Sequence, residues 1–351
     1  MKPIIPLLHT DYFAEIAQKI SQTQAGDRVA LISMSFDPAE PGMPPLIEAL
    51  TGAAQRNVDV VLVMDAIAFM LRASDGLPTG PVFWHKPITE TKNPDYQQKF
   101  ATLQRLEAAG VHYSIINMPT TFVINPYAGR NHIKATIIND AAYTGGCNLS
   151  GDALVDMMLR FDDKAIADWL YDRIWAIAQA GTTQAVLRDI DETLPIDHAT
   201  SLFLDSGMPG QSTIYQEALQ LIDQANKHIL MTCQYFPDAP VISRLQKAIE
   251  RGVEVELYFN GVARQELLPR PGHWLLLQLA KLRKSPQLFR HELPKAHPYV
   301  HLKLIATEQA AIVGSHNYVQ AGVGFGTAEL AVLRHDATFS SQLIEKIRPH
   351  L

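Results

Sequence analysis

The sequence carries the same pattern twice, and that repetition limits its folds more than any other feature. Residues 28–37 have the uninterrupted apolar character of a buried strand, 46–55 a helical period, and 56–65 a second buried strand. Residues 228–236, 241–250 and 251–259 repeat that order, with Val58 and Val253 standing 195 positions apart. Further along, His132-x-Lys134 and Gly145-Gly-Cys-Asn148 are answered by His301-x-Lys303 and Gly314-Ser-His-Asn317, at an offset of 169. Strand, helix, strand reads as a crossover onto a parallel pair. The expected fold class is therefore α/β, with two halves related by a pseudo-two-fold axis. Each half is expected to be a mixed, mainly parallel sheet flanked by helices.

The two offsets differ by 26, which places extra chain in the first half between Met64 and His132. Residues 66–130 read as an insertion, and Pro78, Pro81, Trp84, Pro87 and Pro94 suggest that much of it is loop. It recovers as a helix over 100–109 and a strand over 110–116. Long loops of this kind serve as lids or as plain surface excursions. A polar connection from Gly181 to Thr200 separates the halves, giving domains 1–195 and 196–351.

With 47% hydrophobic and 19% charged residues among 351, most of the chain has the material for a buried core and is not disordered. Two cysteines, Cys147 and Cys233, make neither a disulfide framework nor a thiolate zinc site. The apolar start is too short for a signal peptide and no apolar run reaches 18 residues, so the expectation is a cytoplasmic chain without a spanning helix. The net charge of −6 hides an asymmetry. Residues 152–197 hold ten acids against four bases, whereas 264–303 hold eight bases against two acids. An anionic partner should meet the second stretch.

In extended backbone, residues two apart share a face. His132 and Lys134 project together, as do His301 and Lys303, while Ile133 and Leu302 pack on the other side. Turns at Asn139-Asp140 and at 307–309 bring Asn148 and Asn317 back beside them. An imidazole, an ammonium and a carboxamide thus converge twice. Lysines and amides suit the non-bridging oxygens of a phosphodiester and the charge of a five-coordinate transition state. One imidazole can attack phosphorus while the other protonates the leaving oxygen. Two displacements through a phosphohistidine give each histidine one task. The ammonium groups supply the positive charge, so neither a metal nor a cofactor is expected.

These paired motifs resemble those of the phospholipase D superfamily, and the strand–helix–strand units before them extend the resemblance over most of the chain outside the insertion. The resemblance implies the phospholipase D fold, with two halves packed into one shared active site and two-step phosphodiester transfer. It implies His132 as the nucleophile and His301 as the acid, although the pseudo-symmetry permits the reverse. It also implies an acid that orients the catalytic histidine: Glu329 after His301, with Asp156 as its counterpart in the first half. There are departures. The aspartate usual five residues after the lysine is replaced by Asn139 and Glu308, and the glycine comes one residue early, which reads as a tightened hairpin. Gly146 stands where serine is usual, so only Ser315 keeps a hydroxyl for a phosphate oxygen.

Residues 272–284 form an apolar, Trp274-bearing helix with a basic end, which reads either as an interfacial helix or as a core helix. Trp169 and Trp175 carry the same two readings. Residues 36–38 and 235–238 resemble segments near the mouth of the site in bacterial cardiolipin synthases. The expected enzyme is a phospholipase D or phosphatidyltransferase acting on a phospholipid substrate, in peripheral contact with the inner membrane surface. A nuclease is the alternative; the overall −6 weighs against nucleic acid, and the basic stretch keeps it open. Pro298 argues against a zinc pair at His297 and His301, and no strand precedes the glycine run at 322–326 as a dinucleotide loop requires. His112, His198, His228 and His335 read as ordinary histidines and Cys233 as a small core residue. Cys147 reads as core or as a reactive thiol.

Overall fold

The computed structural model describes residues 3–70, 94–118, 129–150, 155–180, 191–206, 212–262, 270–319 and 326–351. Its contacts divide the chain into two units: Met1–Ala153 with Met157–Asp189, and Leu154–Asp156 with Ile190–Leu351. The first contains β1 (Ile5–Leu8), α1 (His9–Ser21), β2 (Arg28–Ser33), β3 (Phe36–Asp37), α2 (Met43–Gln55), β4 (Asp59–Asp65), α3 (Ile67–Met70), α4 (Pro94–Ala108), β5 (His112–Ile116), β6 (Ala135–Ile138), β7 (Ala141–Gly145), β8 (Leu149–Ser150), β9 (Met157–Asp162) and α5 (Lys164–Ala180). The second contains β10 (Glu192–Pro195), β11 (Thr200–Asp205), α6 (Thr213–Gln224), β12 (His228–Cys233), α7 (Ala239–Glu250), β13 (Glu254–Asn260), α8 (Arg270–Arg283), β14 (His291–Leu293), β15 (Lys303–Thr307), β16 (Ala311–Gly314), β17 (Glu329–Arg334) and α9 (Ala337–Ile347).

The repeat in the sequence is a repeat in topology. One sheet runs β1-β9-β7-β6-β2-β4-β5 and the other β10-β11-β17-β16-β15-β12-β13-β14. From β1 and β11 onward the two orders match strand for strand. Within these two sheets, parallel pairing among the described residues is confined to β2-β4-β5 and β12-β13-β14. The other ladders are antiparallel, four of six in the first sheet. The sheets are thus mixed, but not mainly parallel as expected. Crossovers build one flank only, while the motif hairpin and its antiparallel neighbours build the other.

Residues 66–130 are not foreign throughout. After α4 the chain adds β5 parallel to β4, as after α8 it adds β14 parallel to β13. The helix and edge strand therefore belong to the repeat, and a lid role would fall on 71–93 and 119–128, outside the described residues.

β2 and β4 are buried along both faces, which explains their continuous apolar runs. Tyr12, Phe13, Ile16 and Ile20 of α1 and Leu46, Ile47 and Leu50 of α2 share a core with Leu31, Leu62 and Met64. In the second unit α6 and α7 pack Ile214, Leu219, Val241 and Leu245 with Ile229, Met231 and Leu257. Ser212, Asp238 and Asp336 cap α6, α7 and α9 by accepting from the N–H three residues on. The recurring glycine has a steric cause. A Cβ on Gly145 would stand 2.2 Å from the Met157 carbonyl oxygen, and one on Gly314 would stand 2.4 Å from that of Leu330. Among the described residues no helix is long and apolar enough to cross a membrane.

Candidate active site

His132 and Lys134 lie in the run-in to β6, and Lys303 opens β15 with His301 two residues before it. The histidines therefore precede the strands rather than sitting within them. Lys134 and Lys303 are fully buried, with Ile133 and Leu302 packed on the opposite side. Each ammonium donates to the carbonyl of its own histidine: Lys134 Nζ to His132 O at 2.7 Å, and Lys303 Nζ to His301 O likewise. The local geometry is the same in both copies.

What fixes the run-in is the end of the second parallel strand. Asp65, the last residue of β4, is fully buried and accepts from Asn131 N at 2.7 Å, Asn117 Nδ2 at 2.7 Å, Arg130 Nη1 at 3.1 Å and Ile67 N at 2.8 Å. Asn260, the last residue of β13, accepts from Val300 N at 3.1 Å and donates to Val300 O at 2.7 Å and Gln234 O at 2.9 Å. The residue before each histidine is thus clamped. Sequence reasoning missed both residues, although the 195 offset sets Asp65 opposite Asn260.

His301 is oriented by Asp156. Its Nδ1 lies 2.7 Å from Asp156 Oδ2, and both side chains are buried. Val155 and Asp156 come from the first half of the sequence but belong to the second unit. The Val155 carbonyl accepts from His301 N and Leu302 N, both at 2.9 Å, and Val155 N donates to Tyr299 O at 2.8 Å. Glu329 was the expected partner of His301; it is buried and instead accepts from the Ser315 hydroxyl. Positions 156 and 329 are equivalent, each two residues before the partner of the motif glycine (Met158 facing Gly145, Ala331 facing Gly314).

A family model described as "Cardiolipin synthase, PLD-like domain" matches residues 16–177 and 218–350. The chain belongs to this phospholipase D-like family. Its fold is similar to that of phosphatidylserine synthase from Haemophilus influenzae Rd KW20, with TM-score 0.70 and 13% identity over 99% of this chain and 85% of that one. Polyphosphate kinase from Porphyromonas gingivalis is similar with TM-score 0.56 and 15% identity, over 99% of this chain and 49% of that one. No curated protein matches the chain in sequence.

The remaining residues of this phospholipase D-like chain sort by what they touch. Asn148 and Asn317 are half-buried, and in each the Oδ1 atom is buried without a hydrogen-bond partner among the described residues. A carboxamide can turn either its oxygen or its amino group to such a position, so both can meet an incoming polar group. The Ser315 hydroxyl, expected on a phosphate oxygen, is engaged by Glu329 and by Leu330 N at 3.0 Å. Asn139 Oδ1 accepts from Arg28 N at 3.1 Å, and Glu308 Oε1 accepts from Asn226 N at 2.8 Å. These two close the hairpins at the ends of β6 and β15 remote from the histidines. Burial pushes the Glu308 carboxyl up, but the backbone donors at 226–228 outweigh it and hold the group below its ordinary value.

His316 occupies the position of Cys147 in the second copy. Its Nδ1 accepts from Tyr318 N at 3.0 Å, and burial lowers its pKa. Cys147 and Cys233 are both buried, and burial pushes the Cys233 thiol up. Asp238 caps α7 and accepts from Tyr215 Oη at 2.7 Å, and Phe236 packs against Phe259, so 235–238 is braced internally. Residues 36–37 form β3, paired with β8. Trp169 and Trp175 are half-buried, the first under the Arg173 guanidinium and the second against His112. Among the described residues no group of three His, Cys, Asp or Glu side chains is placed to hold a metal ion. Most of the 322–326 glycine run lies outside the described residues.

Proposed function

We propose that the chain transfers or hydrolyses the phosphodiester of a phospholipid through a phosphohistidine, without a metal, as a phosphatidyltransferase or phospholipase D. The observation that carries this reading is the duplicated histidine, lysine and asparagine set, held alike in both copies. In the first step a lone pair of His132 forms the P–N bond, the P–O bond to the leaving alcohol breaks, and His301 gives that oxygen its proton. In the second, His301 takes the proton of water or of an acceptor alcohol as its oxygen attacks phosphorus, and His132 leaves. Lys134, Lys303, Asn148 and Asn317 bind the non-bridging oxygens.

The Asp156 contact supports the role given to His301. A carboxylate on Nδ1 stabilises an imidazolium and fixes the tautomer, which suits the residue that carries the proton. Glu329 and Ser315 brace the second motif. The substrate is placed at the surface of a membrane, reached from the cytoplasmic side.

Lipid mass spectrometry on wild type, His132→Ala and His301→Ala tests the reading. Turnover should vanish in both variants and persist in wild type with chelator present, and His301→Ala should accumulate acid-labile phosphoenzyme. Unaltered phospholipid alongside cleaved DNA would replace the lipid reading with the nuclease one.

A further inference from the structure

The helix α8 is amphipathic in the wrong sense for a helix that covers a sheet. Leu277 is buried in the core of the second unit, while Trp274, Leu275, Leu276, Leu279 and Leu282 are exposed, Leu282 at 82%. Leu275, Leu279 and Leu282 follow one another at i, i+4 and i+7, which makes a single stripe. At 100° per residue that stripe is centred close to the pole opposite Leu277. The leucines lie outward.

The fold does not require this. The topologically equivalent helix α4 buries Tyr96, Lys99, Leu103 and Leu106 and exposes Gln97, Gln104, Arg105 and Glu107. The same structural role is thus filled in the first unit with a polar outer face. The apolar face of α8 is also flanked by charge of one sign. Arg283, Arg290 and Lys295 are exposed in and after the helix, while Lys281 and Glu292 offset one another in a pair at 2.6 Å. The start of α8 lies beside the residues that flank His301. His273 packs on Tyr235 at 5.2 Å, and the neighbouring Gln234 donates to the Tyr299 hydroxyl at 3.0 Å.

We propose that the outer face of α8 is a docking surface for an anionic phospholipid bilayer, with the leucine stripe and Trp274 entering the acyl boundary and the bases meeting the head groups. The proposal deepens the phospholipid reading above and rests on it. A bilayer fits better than a protein groove because the apolar stripe is convex and its rim is basic, the combination that a negatively charged, deformable surface accepts.

The test is sedimentation with vesicles, using full-length His132→Ala so that the lipid is not consumed. Vesicles of phosphatidylcholine alone are compared with vesicles containing one-third phosphatidylglycerol. The protein should pellet with the anionic vesicles, and Trp274 fluorescence should shift to the blue, a change absent in Trp274→Phe. Leu275→Gln/Leu279→Gln/Leu282→Gln, with unchanged circular dichroism and unfolding midpoint, should bind at least about a hundredfold more weakly. Arg283→Ala/Arg290→Ala should lose roughly fivefold per base on anionic vesicles only. Equal binding by the folded leucine variant overturns the proposal. So does a wild-type dimer that the leucine substitutions convert to a monomer, since a second copy would then own the face. Vesicle binding by His132→Ala with no phospholipid turnover by the wild-type protein would overturn the phospholipid reading and leave this surface standing.

Discussion

Asp65→Asn isolates the clamp on the first motif. The substitution keeps the shape of the side chain and removes its charge. Arg130, whose side chain is 2% exposed, then faces an amide instead of a carboxylate. Asp65 Oδ2 receives Asn117 Nδ2 and Asn131 N, and Oδ1 receives Arg130 and Ile67 N. An amide can accept on one side only, so whichever way it turns, two buried donors lose their acceptor, at about 1–3 kcal/mol each. With the weakening of the buried ion pair to Arg130, the expected destabilisation is about 3–5 kcal/mol. Chemical unfolding followed by circular dichroism measures it. Because Asn131 is the residue before His132, kcat should also fall, by about a hundredfold for a displacement of about 1 Å. Removing both charges separates the ion pair from the packing. Asp65→Asn/Arg130→Met should be more stable than the sum of the singles by at least about 2 kcal/mol. A loss below about 1 kcal/mol for Asp65→Asn, or additive singles, refutes the clamp.

Three further outcomes are expected. Asp156→Asn should lower kcat by about 10²–10⁴ with little change in KM, because the carboxylate acts when His301 is charged; a rise in KM alone would assign Asp156 to binding. Gly314→Ala should destabilise by several times the ~0.5 kcal/mol typical of surface changes, since its Cβ would meet the Leu330 carbonyl oxygen at 2.4 Å, and a neutral result in thermal unfolding would reject the steric account. His316 is buried with its pKa lowered from 6.5, so its contribution to stability is present above that value and is lost as pH falls through the lower, folded one. Unfolding free energies measured from pH 7 to pH 5 should therefore decline less steeply in His316→Gln than in wild type.

What the sequence made legible is what strand geometry and sterics repeat. The His-x-Lys spacing works because alternate residues share a face, and the glycine recurs because the neighbouring strand passes too close for a Cβ at either copy. Three features escaped for separate reasons. The equivalence of β5 and β14 was hidden because β14 is three residues long and a length difference of 26 separates the two offsets, which made a repeated edge look like an insertion. The outward face of α8 was hidden because periodicity shows that a helix has an apolar side but not whether that side meets the sheet; Leu277 faces inward and the leucine stripe does not. The partner of His301 was hidden because distance along the chain is a guide only while a unit is built from continuous sequence. Val155 is held by Tyr299, His301 and Leu302 through backbone bonds, and that short ladder carries Asp156 into the second unit before β9 resumes the first. The acid that fits the second histidine is therefore the one that follows the first motif, and a truncation between the halves should remove the orienting carboxylate of His301 even while every residue of the second motif remains.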